Sequence, residues 1–210
     1  MSEKTLVRFN IQNIKYAVLN GSSYATPVAY GSARKMALET DTANKKIFGD
    51  GRVIYVLMNE KCKNGTMTTN NISDDYEIAV GRKLRASNGL VDIAPQVSVP
   101  HAIYFETCGA AGDGSKPVAK TWLYGVTSTR PSESYDQNTE DINESSFDTP
   151  LVISGTEVLA SDGKTLYKDP TTGNTVVAWQ MTVVPGDPGY ETFGNAVVLP
   201  QMQASSTSGN

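Results

Sequence analysis

The chain has 210 residues, 39% of them apolar and 19% charged, with a formal net charge of −4. That length can bury a sizeable core, and the mildly acidic balance argues against a sequence-specific nucleic-acid reader, which carries a basic face. No apolar run approaches a membrane span, and MSEKTLVRF lacks the charged-then-apolar pattern of a signal peptide, so synthesis in a reducing cytoplasm is expected.

In chain order, Val7, Phe9 and Ile11 alternate with polar residues, and then the apolar parity slips to Ile14, Tyr16 and Val18. A one-residue slip within a strand predicts a β-bulge near Asn13. Asn20–Ser23 reads as a turn, Pro27 and Gly31 as breaks, and Ala33–Thr40 as a second alternating strand. Lys45–Phe48 leads through Gly49-Asp50-Gly51 into Arg52–Asn59 (RVIYVLMN), which is apolar on both parities and predicts a strand covered on both faces. Asn64-Gly65 reads as a hairpin reversal and Thr66–Ile72 as the returning strand. Ser73-Asp74-Asp75 opens a short helix, capped by Ser73 or by Asp74 with Glu77 as its capping-box partner. Tyr76, Ala79, Val80 and Leu84 share one side of it, and Gly81 ends it with Arg82 and Lys83 near the negative pole.

Ala86–Pro100 shows no sustained period. His101–Cys108 and Val118–Ser128 read as a hairpin joined by the glycine-rich Gly109–Lys116, with Trp122, Tyr124 and Val126 on one face. From Arg130 to Thr149 the chain is long, polar and acidic, a composition that orders against a partner rather than on itself. Leu151–Ser154 resumes a strand, Asp162-Gly163 and Thr171–Asn174 are turns, and Val176–Val184 is a further strand stopped by Pro185–Gly189. Thr192–Leu199 reads as a short strand. The expected organisation is one domain over residues 1–199 with a flexible tail over 200–210. Its fold class is mainly β, an antiparallel sandwich or barrel of about eight to ten strands with one short flanking helix.

The residues offer little chemistry. Cys62 and Cys108 are far apart and outside any metal-ligand spacing, so both are expected as free thiols. His101 is the one histidine, and with no G-x-S-x-G to present a serine it reads as a strand-edge residue without a special partner. Gly163-Lys164-Thr165 has the tail of a phosphate-binding loop, but Val158 stands where the loop needs glycine. Asp74, Asp75 and Glu77 suit a helix start without a metal, and the acids of 133–148 lack calcium-loop spacing. Trp122, Tyr124 and Trp179 fit a core better than a platform for sugars. These readings predict no catalysis, no cofactor and no metal.

The ordered series VRFNIQNIKYAVL, ALETDTANKKIFGDGRVIYVLMNEKCKNGTMTTNNISDDYEIAVG, IYFETC, KTWLYGVTSTRPSES and TPLVISG resembles the major tail tube proteins of long, non-contractile-tailed bacteriophages over roughly residues 5–184. The segment from Pro185 to Leu199 departs from that pattern. The resemblance implies a structural subunit made in the bacterial cytoplasm and located in the virion tail. It also implies hexameric rings stacked into a conduit for DNA ejection, without a membrane. Tape-measure, tail-tip and tail-terminator proteins are the implied partners, and double-stranded DNA passes without sequence-specific contact. On this reading Arg130, Glu133, Asp136, Glu140, Asp141, Glu144 and Asp148 form an inter-subunit loop, and Glu39 and Asp41 are candidate lumen acids. The alternative is a carbohydrate- or receptor-binding β module of a virion.

Overall fold

The computed structural model describes residues 6–31, 33–94, 97–111, 114–133 and 145–202. In chain order the strands are β1 (Leu6–Asn20), β2 (Ser23–Tyr24), β3 (Val28–Ala29), β4 (Ala33–Gly49) and β5 (Arg52–Thr69). The helix α1 (Asp74–Ala79) follows, then β6 (Lys83–Ala86), β7 (Gly89–Asp92), β8 (His101–Ala111) and β9 (Val118–Ser128). After 145 come β10 (Phe147–Ile153), β11 (Thr156–Glu157), β12 (Val177–Ala178), β13 (Gln180–Val183) and a 3-10 turn at Tyr190–Thr192. The protein is mainly β, with a large antiparallel sheet in the order β2-β1-β8-β9-β10-β5-β4 and one short helix.

Side chains on the two faces of this sheet fill two cores. The first gathers Ile14, Tyr16, Met67, Ile103, Leu123, Val126, Leu151 and Ile153, with Tyr76 and Val80 of α1 packed in. Tyr16, Tyr30 and Tyr76 meet there edge to face, with centroids 4.9 to 6.5 Å apart. The second core, on the other side of β1, β8 and β9, holds Ala17, Ala102, Tyr104, Trp122, Tyr124, Val183 and Phe193. The segment 185–199 closes it, so the expected strand at Thr192–Leu199 is instead the 3-10 turn and irregular chain. Irregular backbone suits the task, because buried polar side chains need free acceptors. Trp122 Nε1 donates to Phe193 O at 2.8 Å, the Tyr124 hydroxyl to Val198 O at 2.5 Å and Lys15 Nζ to Gly194 O at 2.9 Å. Gly194 is required by contact, since a Cβ there would lie 2.8 Å from the Tyr104 ring.

The bulge expected near Asn13 is present, and a second sits at Asn10. The register of β1 on β8 slips between Phe9 and Ile11 and again between Gln12 and Lys15, with φ of 54° at Asn10 and 53° at Asn13. Asparagine tolerates that left-handed conformation. Helix α1 starts at the Ser73 cap, whose Oγ accepts from Tyr76 N, and ends at Gly81 with φ 76°.

Several expectations are corrected. Asn64-Gly65 is not a reversal: β5 runs unbroken through it, and the hairpin turn is Asp50-Gly51, both with positive φ. Gly65 is small because a Cβ there would sit 3.0 Å from Leu38 Cδ2 and 3.1 Å from Ala37 O. Glu77 is no capping-box partner; it is buried and bonded to Arg82. Ala86–Pro100 begins with half of a hairpin, β6–β7, turned at Ser87-Asn88. Trp122, Tyr124 and Val126 do not share a face, because Gly125 at φ 57° inserts a bulge that sends Val126 to the first core. Leu84 is exposed on β6 rather than packed with the helix. The strand expected from Leu151 begins at Phe147, and the one expected over Val176–Val184 is split at Trp179, β12 pairing β11 and β13 pairing β9. Of the expected tail, Pro200 O accepts from Leu159 N and Met202 N donates to Leu159 O; 203–210 lie outside the described residues.

Candidate assembly surfaces

The first surface is the distal half of the β4–β5 hairpin. β10 pairs β5 only along Lys63–Thr69, so from Arg52 to Cys62 the pairing of β5 among the described residues is to β4 alone. At about 3.3 Å per residue this two-stranded arm is roughly 35 Å long. The strand read as covered on both faces is therefore covered on neither where its side chains are described. Phe48 is 65% exposed, Ile54 61% and Tyr55 60%, with Ile47 and Val53 also open. Ile54 projects from one face of the ribbon and Val53 and Tyr55 from the other, as strand alternation dictates. A lone two-stranded ribbon is marginal in water, and one with apolar groups on both faces presents a docking surface. Sequence patterning carried the signal, since both parities are apolar; it could not say that the cover lies outside the subunit.

The second surface is the solvent face of β4, β5 and β10. Register places Lys35, Thr68 and Asp148 side by side, then Ala37, Thr66 and Pro150, then Glu39, Asn64 and Val152, then Asp41 beside Cys62. The core-facing residues alternate with these, as β10 shows by burying Phe147, Thr149, Leu151 and Ile153 in turn. Glu39, Asp41 and Asp148 thus share one face with Thr66, Thr68 and Asn64. Thr68 Oγ1 donates to Asp148 Oδ1 at 2.5 Å, which fixes that carboxylate on the strand. Among the described residues the outer edge of β4 ends the sheet order, a strand edge of the kind that pairs with another chain.

The acidic loop divides. Asp136, Glu140, Asp141 and Glu144 lie outside the described residues, and Glu133 is exposed at the edge of them. Asp148 belongs to β10, not to a loop. Arg130 is anchored within the subunit: one guanidinium nitrogen donates to Arg82 O at 2.9 Å and to Ile93 O at 2.8 Å, and the other lies 3.8 Å from Asp92. The acids at the helix start are ion-paired too, Asp74 to Lys83 at 2.9 Å and Glu77 to Arg82 at 2.7 Å.

Beneath α1 runs a buried polar chain that corrects the reading of His101 as partnerless. Its Nδ1 donates to Val99 O at 3.0 Å, which leaves Nε2 to accept from the Tyr76 hydroxyl at 2.8 Å. Tyr76 Oη accepts from Ser128, whose Oγ accepts from Arg82 Nη1 at 3.2 Å. Burial pushes His101 down to about 4, and the positive charge of Arg82 acts in the same direction. Burial likewise holds the Tyr76 hydroxyl well above its ordinary value. A neutral imidazole whose basic nitrogen is occupied by a tyrosine works as a strut tying α1 to β8 and β9.

Other candidates fall into structural roles. Trp122 and Tyr124 are fully buried, and half-buried Trp179 lies under Lys63 Nζ, 5.7 Å from the ring, so the three form no open platform. At Gly163-Lys164-Thr165 the Asp162 carboxylate takes the N–H groups of Lys164 and Thr165, which a phosphate would need. Cys62 and Cys108 are free and half-buried. No helix among the described residues is long and apolar enough to cross a membrane. No protein-family model matches the chain, and no curated protein does.

Proposed function

We propose that the protein is a structural subunit of a bacteriophage tail tube, assembling into stacked rings, six-membered by the resemblance, that conduct DNA. The observation that carries this reading is the roughly 35 Å arm with apolar side chains on both faces, projecting from a sheet whose β4 edge is unpaired among the described residues. Such a subunit completes its surfaces against copies of itself, and edge-to-edge pairing in a ring removes the free edge. The Glu39, Asp41 and Asp148 face suits a lumen. It is polar and carries acids that repel phosphate weakly, and its lysine, Lys35, is a single point charge on that face rather than a basic patch. The sequence resemblance adds tape-measure, tip and terminator proteins as partners.

Negative-stain imaging of concentrated protein, alone and with the other tail components, tests the reading. Hollow tubes or six-fold rings are expected, and Phe48→Asp is expected to abolish them while leaving the monomer folded. A protein that stays monomeric under every one of these conditions, or a Phe48→Asp variant that still builds tubes, would count against it.

A further inference from the structure

The chain just after α1, residues 97–99 and the end of β9 with residues 129–130 line an open cleft of about 340 Å³. Its walls are Val80, Val97 and Val99, with Arg82, Ser128 and Arg130 among them. Val97 is 74% exposed, and Leu84 and Val91, opposite each other on β6 and β7, are exposed as well. The cleft also holds unmet polar capacity. Arg82 is 3% exposed and its Nε has no hydrogen-bond partner among the described residues, while the ion pair of Arg130 to Asp92 is long at 3.8 Å. An apolar slot with a guanidinium at its rim, anchored through one nitrogen to Arg82 O and Ile93 O but facing Asp92 with the other only at 3.8 Å, fits an apolar knob that carries a carboxylate.

The tip of the β4–β5 arm has that chemistry. Phe48, the most open of its described large apolar residues, stands two positions from Asp50, which is exposed in the turn. Arg52 follows the turn at the tip, and Asp92 is a half-exposed acid beside Arg130. We infer that the arm tip of one subunit docks in the cleft behind α1 of a second copy, Phe48 entering between Val80, Val97 and Val99 and Asp50 pairing with Arg130. This rests on the self-assembly reading and specifies its contact. Tip and cleft are different patches, so the interface is heterologous, and repeating it leaves an arm and a cleft open at the two ends, as a growing polymer needs.

The test mixes two full-length proteins in a Cys62→Ser, Cys108→Ser background, one carrying Arg52→Cys and the other Val97→Cys, with a short bismaleimide. A crosslinked dimer is expected in the mixture and in neither protein alone. Adding Arg130→Glu to the Val97→Cys protein is expected to lower the yield about tenfold. Failure to crosslink, or a yield indifferent to Arg130→Glu, overturns the docking. Imaging of the unmodified protein separates the two levels. Tubes without the crosslink leave the tube reading standing and remove this contact; the crosslink without tubes does the reverse.

Discussion

Two long hairpins of this protein share a sequence character and meet opposite fates. Residues 102–105 of β8, 122–124 of β9 and 53–58 of β5 carry apolar side chains on both parities. In the first, every residue from His101 to Phe105 and from Thr121 to Val126 is buried, because the first core lies on one face and the 185–199 segment on the other. In the second, the described side chains from Lys45 to Tyr55 are exposed on both faces. Apolar residues on both parities state that both faces want cover; they do not state which molecule supplies it.

The contrast breaks most visibly in the covered hairpin. Trp122→Ala removes a fully buried ring and the donor to Phe193 O, and should cost about 3–5 kcal/mol in urea or guanidinium unfolding. Acid should act next, through His101 at the start of β8. Its pKa is lowered from 6.5 to about 4 on folding, so the unfolded chain takes up a proton in that window and the folded one does not. Stability from this group is therefore full above pH 6.5 and is lost as pH falls towards 4, by roughly 3 kcal/mol, with no further loss below. A pH series of unfolding free energies should show that slope, and His101→Gln should flatten it.

At the junction of the two regions, Gly65→Ala should cost about 1–3 kcal/mol, because the new methyl meets Leu38 and the Ala37 carbonyl. The smallest effect belongs to the uncovered arm. Ile54→Ser should change monomer stability by less than about 0.5 kcal/mol, as an exposed site does. Its effect should appear instead as loss of higher-order assembly by light scattering. An Ile54→Ser variant as destabilised as a core mutant would show that the arm is packed within the subunit after all.

Much of the fold was legible because the signals were local. The parity slip around Asn13, the Ser73 cap, the Gly81 stop and the β8–β9 hairpin each follow from side-chain period or backbone chemistry within a few residues. Asn64-Gly65 misled for the converse reason. The dipeptide suits a turn, yet here Gly65 makes room for Leu38 and Ile153 across two neighbouring strands, a requirement set by residues distant in sequence. Asp50-Gly51, four residues after Lys46, was the better turn signal, with both residues suited to positive φ. On the candidate surfaces, Glu39 and Asp41 could be named, but their grouping with Asp148 needed the β5 register. The cleft could not be foreseen, since Val80, Val97 and Arg130 meet only in three dimensions.

The amino-acid sequence by itself determined the β class, the single helix and its ends, and the demand of Arg52–Asn59 for cover on both faces, because period and capping are properties of neighbouring residues. Tertiary structure decided which hairpin is satisfied at home. The aperiodic 185–199 segment spends its backbone carbonyls on Trp122 and Tyr124, whereas the β4–β5 arm extends beyond the last strand that could shelter it.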